Sequence, residues 1–155
     1  MTTVLTMIRD DGGRRAAGFG AAANDCVARS VAIASGRPYA VVYGELAEIN
    51  AKMPKTKART HQRSAVGQLT ADRGIFTESV LFKRYMAGLG FTWVPTMKIG
   101  TGCRVHLRTS ELPKGRIIVR VTHHLAAVID GVLHDTLDCS RGGTRCVYGY
   151  WRFDK

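Results

Sequence analysis

The sequence lacks long apolar runs, is short of acidic residues and has no closely spaced cysteine pair. Each deficit removes a class of function. The longest apolar stretches are Tyr39 to Tyr43 and Leu125 to Ile129, and Ile117-Ile118-Val119 is shorter still. All fall far below the roughly 20 residues a helix needs to cross a bilayer, so no membrane partner is expected. Residues Met1 to Asp10 have no basic segment leading into an apolar one. A secretory signal is therefore not expected, and the cytoplasm is the expected compartment. None of Cys26, Cys103, Cys139 and Cys146 stands in a C-x-x-C pair, which argues against a zinc ribbon or a thioredoxin-type centre. In a reducing compartment the four are expected as free thiols. A bridge between Cys139 and Cys146, which flank Ser-Arg-Gly-Gly-Thr-Arg, is the minor alternative. Gly100-Thr101-Gly102 is followed by no Gly-Lys-Ser/Thr, so no phosphate loop is expected. The sequence contains no internal repeat.

The 155 residues, 45% of them hydrophobic, fit a single folded domain over 1–155. Lys and Arg number 23 against 12 acids, a net charge of +11, which draws the chain to polyanions without conferring specificity. The basic residues concentrate in 52–64, which has no apolar periodicity and is expected to be a mobile loop. Its Lys55, Lys57, Arg59 and Arg63 offer electrostatic contact to nucleic acid or an acidic protein. The segment lacks the interleaved aromatics of a single-strand binding groove.

Residues 9–23 are rich in Gly and Ala and read as irregular or mobile. A mostly apolar helix follows from about Asp25 to Ser35, with Asn24 or Asp25 as N-cap and Gly36 as the stop. A second helix runs from Tyr39 to about Lys52 behind Pro38, and a third starts near Thr77 and ends at Gly88 or Gly90. Phe91 to Met97 reads as an edge strand because it contains Pro95. Arg116 to Val121, His124 to Ile129, Val132 to Leu137 and Val147 to Phe153 read as further strands. Asp130-Gly131 between two apolar runs is the signature of a tight hairpin. The fold class is therefore α+β, with helices first and an antiparallel sheet of four to six strands after them.

Cys26 stands at the first turn of a helix, where unpaired N–H groups and the helix dipole favour a thiolate. If Asp130-Gly131 is a two-residue turn, Ile129 faces Val132, Val128 faces Leu133 and Ala126 faces Asp135. Alternation then puts His124 and Asp135 on one face as diagonal neighbours. The other face carries His123, His134 and Asp138, with His123 directly opposite Asp138. A thiol nucleophile needs an imidazole to take its proton and an acceptor to hold that imidazole in one tautomer, and both faces offer the second half of that set. The residues His123, His124, His134, Asp135 and Asp138 match no standard zinc spacing, so neither metal nor cofactor is expected.

Cys26 opening a helix after Asn24-Asp25, together with the run His-Leu-Ala-Ala-Val-Ile-Asp-Gly-Val-Leu-His-Asp-Thr from His124 to Thr136, resembles the papain-like cysteine peptidase superfamily. The nearest likeness is to its compact bacterial and phage members. The resemblance covers about residues 24–37 and 115–138. It implies a Cys-bearing helix packed on an antiparallel sheet, with Cys26 as nucleophile, His124 as base and Asp135 as orienter. His123 with Asp138 is the alternative dyad. Family members often carry a Gln a few residues before the Cys to bind the oxyanion. Here position 20 is Gly and no Gln precedes Cys26, so Asn24 and the Cys26 N–H take that role. The implied activity is that of a peptidase or isopeptidase on a peptide or protein substrate, in a host cytoplasm or virion if the chain is phage-encoded. The alternative is an inactive papain-like module that uses its basic surface to bind nucleic acid or an acidic protein.

Overall fold

The computed structural model describes residues 5–21, 24–53, 67–72 and 75–154. Lys55, Lys57, Arg59 and Arg63 of the expected basic loop lie outside the described residues. The architecture is α+β. Helices α1 (Cys26–Ser35), α2 (Tyr39–Lys52) and α3 (Val80–Leu89) accompany strands β1 (Thr6–Arg9), β2 (Phe91–Pro95), β3 (Val105–His106), β4 (Arg116–Val121), β5 (His124–Ile129), β6 (Val132–Asp135), β7 (Cys146–Val147) and β8 (Gly149–Phe153). Six strands form the main sheet in the order β1-β6-β5-β4-β8-β2, and β3 pairs with β7 in a separate ribbon. The main sheet is antiparallel except where β1 lies parallel to β6. No helix among the described residues is long and apolar enough to cross a membrane.

Alternation along β4 and β5 divides the apolar side chains between two cores. Ile118, Leu125 and Ala127 join the cluster built with α1, α2 and α3. Ile117, Val119, Val121, Ala126 and Val128 join the opposite cluster, which Leu107 and Val147 help to close. The central strands are thus buried on both faces, which is why they read as dense apolar runs. Helix α1 sits against β5, β4 and β6 and is buried from Val27 through Ala34. A helix apolar all round is a core helix. It ends where expected: Gly36 is left-handed at φ 73° and its N–H caps the Ala32 carbonyl at 3.0 Å.

The β5–β6 hairpin forms in the expected register, with Ile129 opposite Val132 and Val128 opposite Leu133. Asp130 and Gly131 both have positive φ, 48° and 79°, the condition for a type I′ turn. Gly131 is required twice over, because a Cβ there would come within 3.0 Å of the Thr109 side chain.

Several expectations are corrected. β6 stops at Asp135 rather than Leu137, and its ladder with β5 ends at Ala127–His134, one pair short of the expected Ala126–Asp135, while its other edge pairs with β1 through Arg9–Asp135. Strand β1 gave no sequence signal: it is four residues long, and its parallel partner lies far along the chain. α3 begins at Val80, where the Ser79 hydroxyl caps the Phe82 N–H at 3.1 Å, and it runs through Gly88 to Leu89. Residues 10–21 are a built succession of turns around a buried Arg14, not a featureless linker. Their carboxylates do the shaping: Asp10 accepts from the Gly12 N–H, and Asp11 from the N–H groups of Gly13 and Arg15. Cys103 and Cys146 are joined by a disulfide, contrary to the expectation of four free thiols and to the Cys139–Cys146 alternative. The β3–β7 ribbon explains the choice, since it draws Cys103, just before β3, to Cys146 at the start of β7. Cys26 and Cys139 remain free.

Candidate active site

Three elements converge at one end of the hairpin. Helix α1 begins with Cys26, β5 begins with His124 and β6 ends with Asp135. His124 Nε2 and Asp135 Oδ2 are 2.7 Å apart, the diagonal pairing that alternation predicts. With Nε2 engaged by the carboxylate, the other ring nitrogen is left over, and Cys26 and Cys139 both favour the protonated imidazole. Cys26 is half-buried and His124 keeps a modest opening to solvent, so a substrate can reach both.

Burial works against charge on His124. It is outweighed by hydrogen bonds to Asp135, Cys139 and Cys26 and by negative charge at Cys26, which together push the imidazole up to about 11. Burial also opposes charge on Asp135. His124, the Arg29 guanidinium and the Thr136 N–H outweigh it and hold the carboxyl below its ordinary range. Each group therefore stabilises the charged form of the other.

The alternative dyad does not form. His123 sits in the β4–β5 turn at φ 56° and is exposed. Asp138 instead accepts from the backbone N–H and hydroxyl of Ser140, at 2.9 and 2.7 Å. His134, on the other side of β6, pairs with Asp10 at 3.1 Å. A strand boundary explains the choice. His123 takes the left-handed turn residue, so His124 becomes the first residue of β5.

Asn24 is exposed beside Cys26. Asp25 does not cap α1: its carboxylate turns inward and leaves the helix N-terminus without a side-chain cap. Asp25 binds the Arg29 guanidinium instead, and accepts from the Tyr39 hydroxyl at 2.7 Å.

The sequence reading also missed Arg29, Arg14 and Cys139. Arg29 donates to Asp135 Oδ1 at 3.1 Å. Its signal was available: an Arg at helical spacing from Cys26, in a helix otherwise apolar, must find carboxylates. Cys139 had none, because it reaches the site through the irregular segment after β6. His124, Asp135 and Cys139 present donor atoms within 4.8 Å of one another, close enough to share an ion. Asp135 Oδ2 also bonds His124, and Oδ1 accepts from the Arg29 guanidinium.

In comparisons with known proteins, no family model matches the chain, and no curated protein or solved structure matches it.

Proposed function

We propose that this protein is a thiol-dependent hydrolase of papain-like design, acting as a peptidase or isopeptidase on a peptide or protein substrate. The observation that carries the reading is the His124–Asp135 bond at 2.7 Å, on an imidazole that Cys26 also helps to push up. An imidazole held near 11 is protonated at neutral pH. In the proposed reaction Cys26 acts as a thiolate beside that imidazolium.

The Cys26 sulfur attacks the carbonyl carbon, a C–S bond forms and the carbonyl oxygen becomes an oxyanion. The Cys26 N–H, at a helix start with no side-chain cap, and the exposed Asn24 amide stabilise that oxygen. Collapse breaks the C–N bond, and the leaving amine takes the proton from His124. Water then attacks the thioester, His124 takes its proton, and the thiolate departs. Asp135 holds the ring throughout and stays ionised. An amine acceptor in place of water turns the same steps into acyl transfer.

The compartment we propose is the cytoplasm, where Cys26 stays reduced. The Cys103–Cys146 bridge would then have to persist against the reducing pool.

The test is alkylation of each cysteine by iodoacetamide from pH 4 to 9, resolved by peptide mass spectrometry, in the wild type and in His124→Ala. Rapid modification of Cys26 well below the ordinary thiol range of about 8.5, abolished by His124→Ala, supports the reading. A Cys26 that reacts as a free thiol in both proteins defeats it. Salt-sensitive nucleic-acid binding that survives Cys26→Ala would then favour the basic-module alternative.

A further inference from the structure

We propose that Arg29 is a positioning residue that ties the orienting carboxylate to the helix bearing the nucleophile, closing a ring of contacts that begins and ends at Cys26. Its consequence for catalysis rests on the hydrolase reading; the ring itself does not.

The ring runs through two elements. Arg29 lies one turn after Cys26 on α1, and its Nη2 donates to Asp135 Oδ1 at 3.1 Å. Asp135 Oδ2 is 2.7 Å from His124 Nε2, and Cys26 acts on the His124 imidazole in turn, raising it. In the other direction Arg29 Nη1 binds Asp25, which directly precedes Cys26. One planar guanidinium thus holds a carboxylate on each side in a fixed fork, which the rotatable donors on an ammonium's single nitrogen do not reproduce.

Stability alone does not account for this arrangement. Asp25 is 1% exposed, Arg29 4% and Asp135 1%. Desolvating such charges costs about as much as their pairing returns, and apolar residues of the same volume often serve stability equally well. Asp25 also forgoes N-capping α1, an interaction of about 1 kcal/mol, to reach Arg29 and Tyr39. What the arrangement supplies is geometry: the separation of Cys26 and His124 is set by α1, Arg29 and Asp135 together.

The experiment reads the hydrogen bond directly. In wild-type protein the His124 Nε2 proton, bonded to a carboxylate, gives a strongly downfield NMR signal. In Arg29→Lys the charge is kept and the fork is lost. The expected result is loss of that signal in a folded protein, with the plateau rate of Cys26 alkylation falling roughly 10- to 100-fold, the scale of an ångström-level misplacement. A folded Arg29→Lys protein that keeps both the signal and the plateau rate overturns the proposal. Should that variant not fold, wild-type guanidinium NMR decides. Distinct, slowly exchanging Nη signals for Arg29 mark a clamped fork, and a freely rotating group overturns it. If Cys26 alkylation proves independent of His124, the hydrolase reading falls, while the His124 and Arg29 signals still decide the ring.

Discussion

Arg29 of α1 and Asp135 of β6 form a buried ion pair at 3.1 Å, although 106 residues separate them in the chain. Asp135 therefore answers to two cations, and any change to it acts on both. Asp135→Asn removes the acceptor charge from His124 and leaves Arg29 with Asp25 alone. Breaking a buried pair from one side costs about 3–5 kcal/mol. We expect a loss of that order in urea unfolding, with the slope against denaturant unchanged, and a His124 titration that moves down toward its ordinary range. A variant as stable as wild type would show that the carboxylate charge is not needed at this position.

The raised imidazole makes stability depend on pH in a fixed direction. His124 moves from 6.5 to about 11 in the folded state, so between these values the native protein holds a proton that the unfolded chain has lost. The stabilisation is complete below about 6.5 and declines as pH rises toward 11. Asp135 acts in the opposite window: its lowered carboxyl contributes above the ordinary range near 3.8 and loses that contribution as pH falls. We expect His124→Gln to flatten the alkaline decline of the unfolding midpoint while leaving the acid limb in place. An alkaline decline of equal steepness in the variant would assign it to other groups.

The legible part of this site was the part encoded locally. Asp130-Gly131 fixes a turn, the turn fixes a register, and the register places His124 near Asp135. The apolar composition of Val27 to Ala34 marked a core helix in the same way. The unread part depends on contacts distant in sequence. Neither β1 nor the Cys103–Cys146 pairing has a local signature, because each is chosen by a partner elsewhere in the chain. Arg14 looked like one of many cations in a Gly-Ala stretch, yet it is buried and donates to Tyr39 and Asp72 at 2.9 and 2.8 Å. Asp25, like Asn24, reads as a helix cap because that is such a residue's commonest use before a helix. Two buried arginines and a tyrosine offered its carboxylate better partners.

The disulfide is expected to contribute to stability through the unfolded chain. Cys103 and Cys146 are 43 residues apart, and closing a loop of that length removes about 4 kcal/mol of chain entropy from the denatured state. Replacing both by Ser should lower the denaturation midpoint by an amount corresponding to about 2–4 kcal/mol, and a reductant should lower the wild-type midpoint to the same value. A midpoint insensitive to reductant would mean that the bridge is not formed in solution.

Tyr39 offers the mildest test of how the nucleophile's helix is held. Its hydroxyl donates to Asp25 Oδ2 at 2.7 Å and accepts from Arg14 Nη1 at 2.9 Å. Burial, together with the bond to Asp25, pushes the phenol well above its usual range, outweighing the opposing pull of Arg14, so it stays protonated and remains a donor. Tyr39→Phe preserves the ring and its edge contact with Phe19 at 5.3 Å while deleting only the hydroxyl. Asp25 then loses one donor but keeps Arg29, and Arg14 keeps Asp72. We expect a cost of about 1–3 kcal/mol, the penalty for leaving a buried polar group short of a partner. The Cys26 alkylation rate should fall less than in Arg29→Lys, because the fork that reaches Asp135 remains intact. A Tyr39→Phe protein that loses Cys26 reactivity as completely as Arg29→Lys would move the controlling contact from Arg29 to the Asp25–Tyr39 bond.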